Sequence, residues 1–411
     1  MKSGIRGNNS FDLYLFLLIA SLVAGNLFGA LQVPRVLAIV LFFPCLNCFL
    51  KMWGMLRDLR NWALLFIAYS IVSSIWNPAG ISEGLISSVY NAVHFTLFFE
   101  IIVFSRFANN PIKAIVYGFL IAFAISAVIA FWELTTDQHL NTSKFEEAQT
   151  SNTGYDIYVR YFAAVTFYNF NMYVTFICFL LPFLFYGVSN AQNKGRTRIV
   201  FAIATALAVV LLIYNGSRGG LLAFLIMVSV YVFFTSSNKR TLSVYFVLFL
   251  AVLGFVLYRY GSTILNTLIM RGEVQGIVQE ESRFVIWGNV WKVVQDYYFL
   301  GCGAGGLRIA MAKYVNRGIL MAHNVFLEVL SEYGIVFFIG FLMFLITVFN
   351  KAKKLADKQR KLCLYQALLA FPVYGIINSG YLNQPVLWAA MASLYVFANY
   401  EQIKAVNLSI R

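Results

Sequence analysis

The chain has 411 residues, 60% of them hydrophobic and 17% aromatic, while only 12% are charged against roughly 25% in an average soluble protein. So few charges cannot cover several soluble domains, which excludes an ordinary water-soluble protein and makes a bilayer the medium that the apolar residues face. The net charge of +14 would elsewhere suggest nucleic acid; in a bilayer protein it reads as Lys and Arg gathered in cytoplasmic loops, and no nucleic-acid partner is expected.

At the start of the chain, Lys2 and Arg6 precede an apolar run from Phe11. No A-x-A cleavage site follows and more apolar runs do, so the segment reads as a first spanning helix rather than a secretory signal. With about 20 apolar residues per crossing, the predicted spans are 11–31, 33–50, 61–76, 84–104, 112–133, 169–189, 197–214, 219–235, 242–260, 324–349, 362–380 and 385–400. This is an all-α integral membrane protein of about 12 spans, a single polytopic unit over 1–411. The fourth span carries Asn91, His94 and Glu100 and has the weakest apolar signal. Cys45 and Cys48 form a CxxC inside the second span with no other pair or histidine nearby, so they read as buried thiols.

Orientation follows from charge. With both termini cytoplasmic, the inside loops hold 20 of the 31 basic residues, including the run Lys351, Lys353, Lys354, Lys358, Arg360 and Lys361, as the positive-inside rule requires. Two outside segments stand out. Residues 134–168 form an acidic loop that ends in Phe167-Tyr168-Asn169-Phe170-Asn171, where the asparagines suit either helix capping or hydrogen bonds to a sugar. Residues 261–322 form the longest loop; such loops usually carry function or structure of their own. Over 283–300, Gly288, Asn289, Lys292, Gln295 and Asp296 recur at helical spacing opposite Trp287, Trp291, Val294 and Tyr298, which predicts an amphipathic helix lying in the membrane surface.

Three polar sites fall on the outer face. Asn215-Gly216-Ser217-Arg218-Gly219-Gly220 is a short break between two spans; its arginine suits an anionic ligand or lipid headgroups. Arg283 begins the amphipathic helix and could pair with Glu280 or Glu281, or grip phosphate oxygens with its planar fork. His323 and Asn324 open the tenth span, where the positive end of the helix dipole would keep the imidazole neutral, as a general base must be. Gly301-Cys302-Gly303-Ala304-Gly305-Gly306 reads as a flexible turn, with a phosphate nest as the minor alternative. No D-x-D, H-E-x-x-H or Cys/His cluster marks a metal site.

Ser217-Arg218-Gly219-Gly220, Ser282-Arg283-Phe284-Val285-Ile286-Trp287, the glycine-rich stretch, and His323-Asn324-Val325-Phe326-Leu327-Glu328 followed by Glu332-Tyr333-Gly334, set among twelve spans, resemble the bacterial O-antigen ligase/polymerase superfamily. The resemblance implies a membrane glycosyltransferase of GT-C-like architecture with no metal and no cofactor. Its donor would be an undecaprenyl-pyrophosphate-linked oligosaccharide on the outer face of the bacterial inner membrane. Arg218 and Arg283 would bind the donor pyrophosphate and His323 would take the acceptor proton, with Asn324, Asn169 and Asn171 as further substrate contacts. The acceptor would be another glycan or lipid A core, among membrane lipids and other polysaccharide assembly proteins. The F-x-N-x-N pattern at 167–171 looks more like polymerases than ligases. A transporter or flippase, or a glycan-binding partner without activity, are the rival readings; a transporter should show two related halves and midplane charges, whereas here the distinctive charges gather on one face.

Overall fold

The computed structural model describes residues 8–29, 31–142, 162–190, 195–235, 283–315 and 320–405. The described residues form helices α1 Asn9–Ala20, α2 Val33–Met52, α3 Arg57–Ser73, α4 Ile81–Phe107, α5 Pro111–Thr136, α6 Phe170–Ser189, α7 Gly195–Tyr214, α8 Arg218–Thr235, α9 Arg283–Asp296, α10 Leu307–Met311, α11 Val325–Lys354, α12 Lys358–Tyr374 and α13 Pro385–Ala405. Among them no strand occurs. Eight are long and apolar enough to cross a membrane: α2, α3 with its 3-10 extension to Trp76, α4 to α8, and α11; α1 with its own extension to Ala24 is shorter. The predicted span 242–260 lies outside the described residues.

Side-chain and backbone bonds sort the helix ends into two sets. At one end Asn8 N–H donates to Phe107 O (3.0 Å), Arg106 to Lys404 O (3.0 Å), Gln359 to Ser189 O (2.9 Å) and Arg198 to Val188 O (2.9 Å). At the other, Asn26 N–H donates to Thr166 O (2.8 Å), Ala163 N–H to Asn215 Oδ1 (2.8 Å), Asn77 to Ala304 O (2.7 Å) and Arg35 to Asn383 O (2.8 Å). These pairings are those expected from the alternation of predicted inside and outside loops. The described ends of the chain, near Asn8 and Lys404, lie on the same face as the Lys351–Lys361 run.

Burial grades the helices by position. α6 is buried along nearly its whole length among α5, α7, α8, α12 and α13, whereas α2, α7 and α8 leave most of their apolar surface outward. α4 is a full 27-residue helix despite its polar residues, because these face protein. Asn91 donates to Tyr333 Oη (2.8 Å), and His94 accepts from Arg35 Nε (3.1 Å).

Several boundaries depart from the sequence reading, two of them before the site. The first span, expected to reach residue 31, ends near Ala24, because Gly25 turns into the left-handed region (φ 46°) and lies against Thr166. The amphipathic helix, expected over 283–300, ends at Asp296, since Tyr298 and Phe299 both take positive φ (51° and 60°). Its buried stripe is Ile286, Asn289, Val290, Val293 and Val294, packed on Leu307, Met311 and Val315, while Trp291 and Tyr298 are exposed.

The glycine-rich turn that follows is not loose. α11 breaks at Gly334 (φ 80°, ψ −178°), a conformation open to glycine almost alone. The turn takes up the interrupted backbone bonds: Ile335 N–H donates to Phe299 O (2.9 Å), Cys302 N–H to Ser331 O (2.8 Å) and Gly303 N–H to Glu332 O (3.0 Å). Gly305 N–H donates to Glu332 Oε2 (3.0 Å), so the amides of Cys302, Gly303 and Gly305 are committed to α11 rather than open to a phosphate. A Cβ at Gly303 would stand 2.8 Å from Ser73 O, which is why this strip can lie so close to α3.

Candidate active site

The three polar motifs are each built at the start of a helix. In the first, Gly216 (φ 54°) turns the chain and Ser217 Oγ accepts from Gly220 N–H (3.2 Å), capping α8. Arg218 is then the first residue of α8 and is exposed at its end. The two glycines allow close packing: a Cβ on Gly220 would lie 2.8 Å from Val174 of α6, and one on Gly219 2.8 Å from Cγ1 of Ile377. Asn215 just before the break accepts the amide of Ala163, tying this motif to the segment that leads into α6.

Arg283 opens α9 and donates through Nη1 to Ile376 O and through Nη2 to Ile377 O (3.2 Å). The carbonyls orient the guanidinium without neutralising its charge. Glu280 and Glu281, the partners considered from sequence, lie outside the described residues.

His323 sits between Ala322, whose carbonyl accepts Trp287 Nε1 (3.0 Å), and Asn324, which caps α11 through Oδ1 to Phe326 N–H (3.0 Å) and Leu327 N–H (3.3 Å). Its backbone is left-handed (φ 48°), a conformation costing a non-glycine residue on the order of 1–3 kcal/mol. Burial first, and the charge of Arg283 second, push the imidazole down to about 4, against a hydrogen bond to the Ile377 backbone that opposes the shift. The ring is therefore neutral at pH 7, for a different leading cause than the helix dipole. Its Nδ1 is buried with no hydrogen-bond partner among the described residues. A neutral ring with an uncommitted nitrogen is what proton abstraction requires.

The structure thus brings the surroundings of Arg218, Arg283 and His323 to one residue, Ile377, on the turn 375–384 between α12 and α13. The eleventh span, expected from hydropathy to run through residue 380, ends at Tyr374 instead. Gly375, Asn378, Gly380 and Asn383 were the signal of the turn, masked by the apolar Ile376-Ile377. Sequence reasoning also missed Glu328, which accepts the amides of Gly380 (2.6 Å) and Tyr381 (3.0 Å).

The remaining predicted contacts are placed differently. Asn169 caps α6 by accepting Met172 N–H (2.9 Å), and the carbonyl of Asn171 accepts Thr175 Oγ1 (2.8 Å). Before them, Glu133 of α5 accepts Ala164 and Val165 amides with Oε2 (2.8 Å each), holding Val165 in the left-handed region (φ 57°). Among the described residues no three His, Cys, Asp or Glu side chains are grouped to share a metal ion.

The fold is that of a multi-pass membrane protein, with Arg218, Arg283 and His323 at or beside helix starts at one end of its bundle. Residues 201–345, which contain Arg218, Arg283, His323 and the break at Gly334, match the family model described as O-Antigen ligase. The Teichuronic acid biosynthesis protein TuaE of Bacillus subtilis (strain 168) is 24% identical over 428 residues, an alignment covering 95% of this chain and 84% of that protein. Both agree with the superfamily that the motifs resemble, and they support a membrane enzyme of the polysaccharide polymerase/ligase type.

Proposed function

We propose that the protein transfers glycan from an undecaprenyl-pyrophosphate-linked donor at the extracytoplasmic face of the inner membrane and that it polymerises polysaccharide repeat units. The observation that carries this reading is the meeting of Arg283, His323 and the Arg218 motif on Ile377. Arg218 and Arg283 hold the pyrophosphate and stabilise the charge that grows as it leaves. The acceptor hydroxyl oxygen attacks the anomeric carbon from the opposite side, the bond from that carbon to the pyrophosphate oxygen breaks, and the hydroxyl proton passes to His323. The products are an elongated glycan of inverted configuration and undecaprenyl pyrophosphate. No step needs a metal or a cofactor.

Polymer formation is supported by the F-x-N-x-N pattern at 167–171 and by a relative named for teichuronic acid biosynthesis. A ligase that moves finished chains to lipid A core is the second reading, favoured by the description of the matching family. Deleting the gene separates them on a polysaccharide gel. A single repeat left on its acceptor identifies a polymerase, and long lipid-linked chains that never reach the acceptor identify a ligase. His323→Ala should abolish assembly at unchanged protein level, and Arg218→Lys or Arg283→Lys should impair it, because an ammonium cannot reproduce the fork. Normal chain lengths in all three would overturn the proposal.

A further inference from the structure

The turn 375–384 carries more than two carbonyls. Its first residue, Gly375, accepts Val325 N–H (2.9 Å), joining it to the start of α11 one residue past the Asn324 cap. Asn383 accepts from Arg35 of α2 (2.8 Å), Leu382 from Trp388 (2.9 Å), and Tyr381 Oη accepts Asn378 N–H (3.1 Å). The turn is therefore a built element held from α2, α11 and α13, and Arg283 and His323 both rest on it.

Glu328 is the one carboxylate of described residues that bonds this turn. It lies on α11, five residues after His323, and is 4% exposed. Each oxygen accepts one backbone amide, Gly380 at Oε1 and Tyr381 at Oε2. A buried carboxylate that takes two backbone N–H groups makes strong, directional bonds. Gly380 is in the left-handed region (φ 70°), so both amides turn toward α11. The carboxylate does not touch the Arg283 guanidinium, which is satisfied by carbonyls of the turn itself. Resting on the function proposed above, we propose that Glu328 is a positioning residue for glycosyl transfer: it fixes the 375–384 turn, whose Ile376 and Ile377 carbonyls set the fork of Arg283 and the imidazole of His323.

Two substitutions test this without emptying the site. Glu328→Gln keeps the shape but sets an NH2 donor against one of the two amides, and Glu328→Asp keeps the charge but falls one methylene short. Both variants should reach the membrane at wild-type levels and remain monodisperse in detergent. With lipid-linked repeat units extracted from a deletion strain as donor, both should lose up to about 100-fold in kcat, the scale of a 1 Å misplacement at a reacting centre. The donor KM should rise as well, because Arg283 rests on the same turn.

The second readout is carbethoxylation by diethyl pyrocarbonate, read by peptide mass spectrometry. The chain has only three histidines, so each reports separately. A loosened turn should raise labelling of His323 several-fold while His94, fully buried on α4, stays protected. Wild-type turnover in both variants overturns the proposal. So does lost activity with His94 labelled as fast as His323, which would make Glu328 part of the general scaffold. A parallel His323→Ala arm keeps the two ideas apart: if that variant still assembles glycan, the function fails, and selective labelling of His323 in the Glu328 variants alone decides whether the turn is held as described.

Discussion

The acid limb of the pH–rate profile tests the base assignment most directly. An ordinary imidazole titrates near 6.5, whereas burial and Arg283 push His323 down to about 4. At pH 6.0 an ordinary histidine would be about three-quarters protonated, but one titrating near 4 only about 1%. Purified enzyme assayed with lipid-linked donor should therefore hold its kcat/KM almost constant from pH 7 to about 5.5 and lose half of it near pH 4. Removing the neighbouring charge with Arg283→Gln should lower overall activity and move the midpoint upward, short of 6.5 because burial remains. Stability follows the same groups. The unfolded chain binds the proton first, so the contribution of His323 is intact above about pH 6.5 and declines as pH falls towards 4. A wild-type midpoint at 6 to 7, or an acid limb unchanged by Arg283→Gln, would refute the assignment.

Three further outcomes are expected. Gly334→Ala should cost on the order of 1–3 kcal/mol, seen as a lowered melting temperature in detergent, because a Cβ there meets the carbonyls of Leu300 and Phe299 and the φ of 80° suits glycine alone. Glu133→Leu should destabilise by roughly 1–3 kcal/mol in the same assay, since it leaves the Ala164 and Val165 N–H groups without their acceptor, whereas Glu133→Gln should cost less because its one carbonyl oxygen can take both amides as Oε2 does. Asn169→Ala should lose about 1 kcal/mol of helix capping, and Asn169→Ser should restore both stability and chain length if the side chain serves the helix; stability restored without activity would instead mark it as a sugar contact.

Much of the arrangement could be read from the chain because a bilayer enforces it. Apolar length gave most of the crossings, and basic loops gave an alternation that the hydrogen bonds between helix ends repeat. Ser217-Arg218-Gly219-Gly220 could be recognised because each residue acts locally, the serine as a cap, the arginine as a charge and the glycines as points of close approach. The turn 375–384 could not, since Ile376 and Ile377 look like span residues and their importance lies in carbonyls, which every residue possesses. Glu328 was visible as a letter in a motif, but its partners stand 52 and 53 positions away. The glycine-rich strip was legible as backbone needing close approach, while its purpose depends on a helix break at Gly334 that hydropathy does not register. α4 showed the opposite error: averaging over all sides of the helix penalises Asn91 and His94, although each has a protein partner.

The order in which the parts are made gives the turn 375–384 a further consequence. A polytopic chain enters the membrane N-terminus first, so Arg218, Arg283 and His323 are all delivered before the residues that support two of them exist. Until α12 has been made and the chain has turned back at Pro385, the Ile376 and Ile377 carbonyls that accept from Arg283 and the Gly375 carbonyl that accepts from Val325 are not in place. The support of Arg283 and of the start of α11 is thus the last part of this arrangement to be made. A chain that stops before residue 375 would carry Arg218, Arg283 and His323 without the turn on which two of them rest.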